Sequence, residues 1–369
     1  MKRILLLLCL FLLLSGCMPA KQPNDLAYVI SMSVDRLDNG EIEIAVQLPA
    51  IASGSGDGGG SSDYTLMSAA GATFSQALDV MESTSQRSLN LTHMKTLICS
   101  ADLAGEADFS DLLTEIMLTY RLYGEASLII SMNPAKELLA AQRAVIGERL
   151  AQSVSASLEH FTEHGYAPNV TLSDVFFRMH SVYSDPVGVL AATADGMHFR
   201  SIPPDRMGDA YPGALPRTGA NKNEYYGAAL FARGHMVGTL TGLEENLRGA
   251  LTGDIRQMPR SYEGKAVRLS VIHPGRYTVD LSGETPRIHV TLDLRMFSSH
   301  TPPDSQLVAA CVEQDLMALF QKCQSLQCEP FGIAETAAAQ FATLEEWTAY
   351  NWREAFARSE ITVEVQIRS

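Results

Sequence analysis

The chain has 369 residues, 46% of them apolar and 19% charged, which supplies material for packed cores and excludes wholesale disorder. Asp and Glu number 42 against 28 Lys and Arg, a formal charge of −14; so acidic a balance argues against nucleic acid as a partner and gains nothing from an anionic lipid surface, and it is expected to keep a tethered body off the bilayer. At this length two or three domains are expected.

Residues 1–17 set the context for the rest. Lys2 and Arg3 precede an unbroken apolar run from Ile4 to Leu14, and Ser15-Gly16 lead into Cys17. A charged start, an apolar core and a small-residue exit make an export signal. A run of about 11 apolar residues is too short for a span, which needs roughly 20. The cysteine after Ser15-Gly16 resembles the lipobox of bacterial lipoproteins, in which that cysteine is acylated and becomes the first mature residue. Cys17 is therefore the expected lipidation site. Two acyl chains at about 0.8 kcal/mol per buried methylene would hold the body to a membrane almost irreversibly. No later stretch reaches spanning length.

Met18 to Pro23 is a short tether. Leu26–Val34 and Glu41–Leu48 read as strands around Asp38-Asn39-Gly40, a tight-turn signal. Residues 53–62 are a Gly/Ser loop containing Gly54-x-Gly56-x-x-Gly59. That string binds dinucleotides only between a strand and a helix, and here the next element, Tyr64–Ala69, reads as a strand. Thr73–Ser83 carries Phe74, Ala77, Leu78 and Met81 on one helical face. Leu89–Ile98 reads as a strand containing His93 and Lys95, Phe109–Tyr120 as a helix, Ala126–Ser131 as a strand. A helix opens at Pro134 and runs through Leu139. A long helical stretch from Val145 to His164 is closed by Gly165, and Val170–Tyr183 is helical.

Residues 200–223, rich in Pro and Gly, read as a connecting segment. Tyr226–Phe231 and Met236–Leu240 form a hairpin around Arg233-Gly234-His235, followed by a helix over Leu243–Leu251. Ala266–Ile272, Tyr277–Leu281 and Arg287–Met296 are strands. Gln306–Leu326 is an amphipathic helix with Val308, Val312, Leu316, Leu319 and Cys323 along one stripe, and Thr343–Ala357 is another, with Leu344, Trp347 and Ala355 on its apolar side. Ile361-x-Val363-x-Val365-x-Ile367 is a strand that needs a partner among residues 266–296. The fold class is α+β and multi-domain, with mixed and antiparallel sheets under packed helices.

Few residues carry chemistry. His160-x-x-Glu163-His164 matches a short zinc-peptidase string, with both histidines as ligands and the glutamate as base. It sits in the last turn of a helix, where histidine is favoured by the dipole alone, and no third ligand is picked out. Cys9 leaves with the signal. Cys99 reads as a buried thiol. Among Cys311, Cys323 and Cys328, a Cys323–Cys328 or Cys311–Cys328 bridge is possible outside the cytoplasm. No cofactor, metal or catalytic constellation is expected. His93 is the residue to watch, either as an interface histidine or as one satisfied by its neighbours.

The ordered pieces resemble the Ger(x)C family, the lipoprotein C subunits of spore germinant receptors. They are Asn24-Asp25-Leu26-Ala27, Val46-Gln47-Leu48-Pro49, Gly71-Ala72-Thr73-Phe74, Thr92-His93-Met94-Lys95, Gly227-Ala228-Ala229-Leu230-Phe231, Phe331-Gly332, Trp347 and Trp352. Met18-Pro19 stands where the family has Trp-Asp after the cysteine, and Glu329 replaces Asp before Pro330-Phe331-Gly332. The family's terminal glycine is missing after Arg368. The resemblance implies a signal over 1–16, a lipidated tether over 17–25, and three units over 26–200, 201–262 and 263–369. It further implies a non-enzymatic subunit on the outer face of the spore inner membrane, beside integral membrane A and B subunits that respond to germinants. Two alternatives compete: a solute-binding lipoprotein of a transporter, with two parallel-sheet lobes, and a zinc peptidase built on His160, Glu163 and His164.

Overall fold

The computed structural model describes residues 25–49, 64–119, 125–143, 150–194, 208–217, 219, 221–262, 264–298 and 301–368. The signal, Cys17, the tether and the Gly54–Gly59 string lie outside the described residues, as do residues 144–149 ahead of the long helix.

An eight-stranded sheet dominates the first two thirds. Its strands are β2 (Ser31–Arg36), β3 (Ile42–Pro49), β4 (Tyr64–Gly71), β6 (Thr96–Ser100), β7 (Ser127–Ser131), β8 (Val187–Thr193), β9 (Asn223–Ala232) and β10 (His235–Leu240). They are ordered β10-β9-β8-β7-β6-β2-β3-β4. β2, β6, β7 and β8 are parallel neighbours, and the two flanks are antiparallel hairpins. A short parallel pair, β1 (Leu26–Tyr28) with β5 (Ser88–Asn90), lies beside it.

Parallel strands are covered on both faces, and the sequence provides for it. In β2, Met32 and Val34 join one core while Ser31, Ser33 and Asp35 face the other way. The first face packs α1 (Phe74–Thr84), α2 (Ala101–Ala104), α3 (Phe109–Thr119) and α6 (Leu172–Met179). The second packs α4 (Ala135–Ala141) and α5 (Leu150–Glu163) through Leu138, Leu139, Val154 and Leu158. Asp35 is buried yet satisfied, because its carboxylate accepts the first-turn amides of Ala135 (2.7 Å) and Lys136 (2.9 Å). That bond set ties α4 to the sheet in the way an N-terminal carboxylate should.

The last third is a four-stranded sheet, β11 (Gln257–Tyr262), β12 (Lys265–Asp280), β13 (Arg287–Phe297) and β14 (Glu360–Arg368), in that order. β14 pairs in parallel with β13, Val365 opposite Leu292, so the closing strand finds the partner its alternation requires. α8 (Ser305–Ser325) covers one face, burying Val308, Val312, Leu316, Leu319 and Cys323. At roughly 2 kcal/mol per buried aliphatic side chain, that stripe is the main glue between helix and sheet. α9 (Ile333–Ala338), α10 (Leu344–Tyr350) and α11 (Trp352–Ala357) close the layer.

α7 (Gly242–Thr252) lies between the two sheets and is buried along nearly its whole length. Leu243, Leu247, Ala250 and Leu251 share one core with Leu230 of β9, Val290 of β13 and Leu316 of α8. Of the stretch over 201–262 grouped from sequence, β9 pairs with β8 and β10 with β9, completing the large sheet. α7 and β11 of the same stretch join the C-terminal core.

Several elements differ from the sequence reading. His93 and Lys95 lie outside any strand, because Asn90 accepts from the Thr92 amide (2.9 Å) and hydroxyl (2.6 Å) and turns the chain. This is an Asx turn, which competes with strand pairing. Residues 343–357 form two helices, because Asn351 adopts φ +52° and caps α10; Leu344, expected inside, is 58% exposed. The strands expected at 266–272 and 277–281 are one strand, β12, irregular opposite Asp293. The helix expected over 170–183 shortens to Leu172–Met179. β11, α2 and α9 have no clear apolar period and were not expected. None of Cys99, Cys311, Cys323 and Cys328 is joined in a disulfide, so neither of the two possible bridges forms.

Candidate functional site

Thr92-His93-Met94-Lys95 alternates inward and outward across the turn between β5 and β6. Leu91 and Met94 are buried while His93 and Lys95 are exposed. The Lys95 amide donates to Ile30 O (2.7 Å) and its carbonyl accepts from Ser127 N (2.9 Å), so its backbone is locked between β2 and β7. The Tyr28 ring lies 5.8 Å from the His93 ring. His93 and Lys95 open onto a polar groove of about 520 Å³ that Glu125, Glu159 and Glu163 also line. A cation, an imidazole and three carboxylates thus line one groove. The arrangement offers paired charges for a polar loop or a zwitterion.

His160 and His164 sit one turn apart on and just past α5, with rings 4.4 Å apart. His164 Nδ1 engages the carbonyl of His160 (2.8 Å). No group of three or more metal-ligating side chains occurs among the described residues. Glu163 belongs to the wall of the polar groove.

A second constellation was missed from sequence. It joins the segment 181–186, which leads into β8, to the helices of the C-terminal unit. The Glu329 amide donates to Asp185 Oδ2 (2.8 Å), the Asp185 amide donates to Glu329 O (3.2 Å), and Arg353 Nη2 donates to Asp185 Oδ1 (2.5 Å). Trp347 Nε1 donates to Val182 O (3.1 Å), and the Trp347 ring stacks beside Tyr183. A cleft of about 210 Å³ lies between them.

Glu329 is fully enclosed. Its carboxylate accepts from the amides of Phe331 (2.8 Å), Ile333 (3.2 Å) and Ala334 (2.9 Å). Burial pushes its pKa up to about 7, against the pull of those three N–H groups. Cys328 donates its thiol to Phe231 O on β9 (3.4 Å), and burial pushes the Cys99, Cys323 and Cys328 thiols well up. They are protonated, apolar core residues. The clue to this joint was the string Glu329-Pro330-Phe331-Gly332. Its partners Asp185 and Arg353, 168 residues apart in sequence, carry no mutual signal.

Comparison with known proteins agrees with this architecture. Residues 19–190 match the family described as "Spore germination protein N-terminal domain". Residues 226–368 match "Spore germination B3/ GerAC like, C-terminal". The chain is 20% identical over 391 residues to "Putative spore germination protein YfkR" of Bacillus subtilis (strain 168), covering 97% of this chain and 92% of that protein. Its fold is similar to the crystal structure of the GerBC protein, with a TM-score of 0.51 at 13% identity over 91% of this chain and 96% of that one. Matched along both halves by the two domains of one family, the chain belongs to the Ger(x)C family of spore germination proteins.

Proposed function

We propose that this chain is the lipid-anchored, non-catalytic C subunit of a germinant receptor, working with integral membrane A and B subunits on the extracytoplasmic face of the spore inner membrane. The observation that carries the proposal is the family match along both halves of the chain, with the N-terminal match beginning at residue 19, two residues past Cys17. In this reading attachment is through Cys17; no helix of the described residues is long and apolar enough to cross a membrane. An acyl anchor holds the body at high effective concentration beside its partners, and modest surfaces then suffice for assembly.

The His93–Lys95 groove is the surface we assign to a partner subunit. It presents both charge signs on a backbone fixed by β2 and β7, which favours register and selectivity over raw affinity. Cys17→Ala should leave melting unchanged and move the protein out of the membrane fraction. Retention of the variant in washed membranes would contradict the anchor. His93→Ala combined with Lys95→Glu should preserve folding and anchoring but weaken recovery with the membrane subunits. Undiminished recovery would remove the groove from the interface.

A further inference from the structure

β12, β13 and β14 turn alternate residues away from α8, and that outer face is segregated by charge. Toward one end carboxylates have basic neighbours: Asp280 with Arg287 (3.7 Å), Asp293 with Arg276 (2.7 Å), and Glu364 beside the His289 imidazole (3.5 Å). At the other end stand Arg268, Arg295 and Arg368, one on each strand. Arg295 is directly opposite Arg368, and Arg268 is directly opposite Phe297. Among the described residues none of these three arginines makes an ion pair or a side-chain hydrogen bond. Like charges placed opposite each other in a ladder cost stability, so the face holds uncompensated positive charge. Phe297, in their midst, is 51% exposed. Beside it runs a groove of about 640 Å³ floored by Pro259, Ala266 and Ser270.

The geometry points to this end of the C-terminal sheet as a docking face for anionic phospholipid headgroups, with the arginines on the phosphates and Phe297 set between them. Guanidinium groups bind phosphate oxygens through paired N–H donors. An aromatic ring among them suits an interface that is charged outside and apolar beneath. The overall acidity of the chain does not oppose this. Charges are screened beyond about 8 Å at physiological salt, so only the residues facing the surface act on it. Three guanidiniums spread over three strands around one exposed ring match a field of phosphates with apolar chains beneath, which favours a membrane over a single acidic peptide. The inference extends the anchoring proposed above by adding an orientation, and its test separates the two.

The full chain carrying Phe297→Trp is bound to vesicles of phosphatidylcholine or of phosphatidylcholine with phosphatidylglycerol, each with brominated acyl chains. Trp347 and Trp352 are buried, and their background is measured in the parent chain. Retention on the vesicles reports the tether; quenching of the new indole reports the face. The expected result is a blue shift and quenching with phosphatidylglycerol only. Both should be lost at high salt and in a variant that also carries Arg268→Glu, Arg295→Glu and Arg368→Glu. Equal quenching on both vesicle types, no quenching on either, or quenching that survives the three reversals would each overturn the docking face, whatever the retention shows. An unquenched indole on a chain that remains bound to the vesicles would leave the anchor standing and assign the arginines to an acidic protein instead.

Discussion

Glu329 is the residue whose environment makes the sharpest demand. Burial raises its pKa in the folded chain from near 4.5 to about 7. A raised folded value means that its contribution to stability is fully present below the unfolded value and is lost as pH rises through about 7. The difference is on the order of 3 kcal/mol across that window. Thermal melts of wild type should therefore fall more steeply between about pH 5 and about pH 8 than those of Glu329→Gln; parallel slopes would show that Glu329 stays ionised throughout. Gly227 makes a different demand. Its φ is +83°, and a Cβ there would lie 2.2 Å from the Leu240 carbonyl oxygen. Gly227→Ala should cost well over about 1 kcal/mol, measured as a drop in urea midpoint. An unchanged midpoint would mean that the β9–β10 hairpin shifts freely. Both residues lie in strings that mark the family, and neither reason could be read from the strings themselves.

At the scale of elements, α7 and β14 carry the tests. α7 buries Arg248 against Glu245 (2.7 Å) and Asp254 (2.8 Å), with both Arg248 and Glu245 only 2% exposed. Its start is fixed by a capping box of Thr241 and Glu244. Removing the guanidinium strands a buried carboxylate, so Arg248→Met should destabilise by about 3–5 kcal/mol. Near-wild-type melting would show that the pair is dispensable. Val365 is 6% exposed on the inner face of β14, and Val365→Asp should cost about 3 kcal/mol or more; a wild-type melt would deny that β14 is packed under α8. The periodic elements were legible from sequence. The buried set of α1 matches its apolar stripe residue for residue, and α8 buries its whole expected stripe with Phe320 in addition, because one face meets a core and one meets water. The failures share a cause as well. Asn90 and Asn351 end elements by side-chain capping or a left-handed backbone, and a hydrophobic period does not register either. β11 and α9 are short, and tertiary packing rather than local pattern holds them.

On the scale of the whole molecule, the chain is a mixed sheet clothed on both faces, a smaller sheet clothed on one, and a buried helix shared between them. The large sheet has a parallel centre, but hairpins flank it, and the described residues form no pair of matched lobes. That arrangement disfavours the two-lobed transporter protein considered from sequence. The groove was half legible. Thr92-His93-Met94-Lys95 stood out as a string, but the carboxylates of α5 that line the groove with it arrive from about 65 residues away and had no sequence link to it. The Asp185–Glu329–Arg353 joint was illegible for the same reason. The central claim concerns what holds this body in place and beside what. The most direct test is capture of the tagged full chain from detergent-solubilised spore membranes, with mass analysis of its amino-terminal fragment and of co-captured proteins. The account predicts a fragment that begins at acylated Cys17 and two integral membrane companions. An unacylated amino terminus recovered from the soluble fraction, without companions, would contradict it.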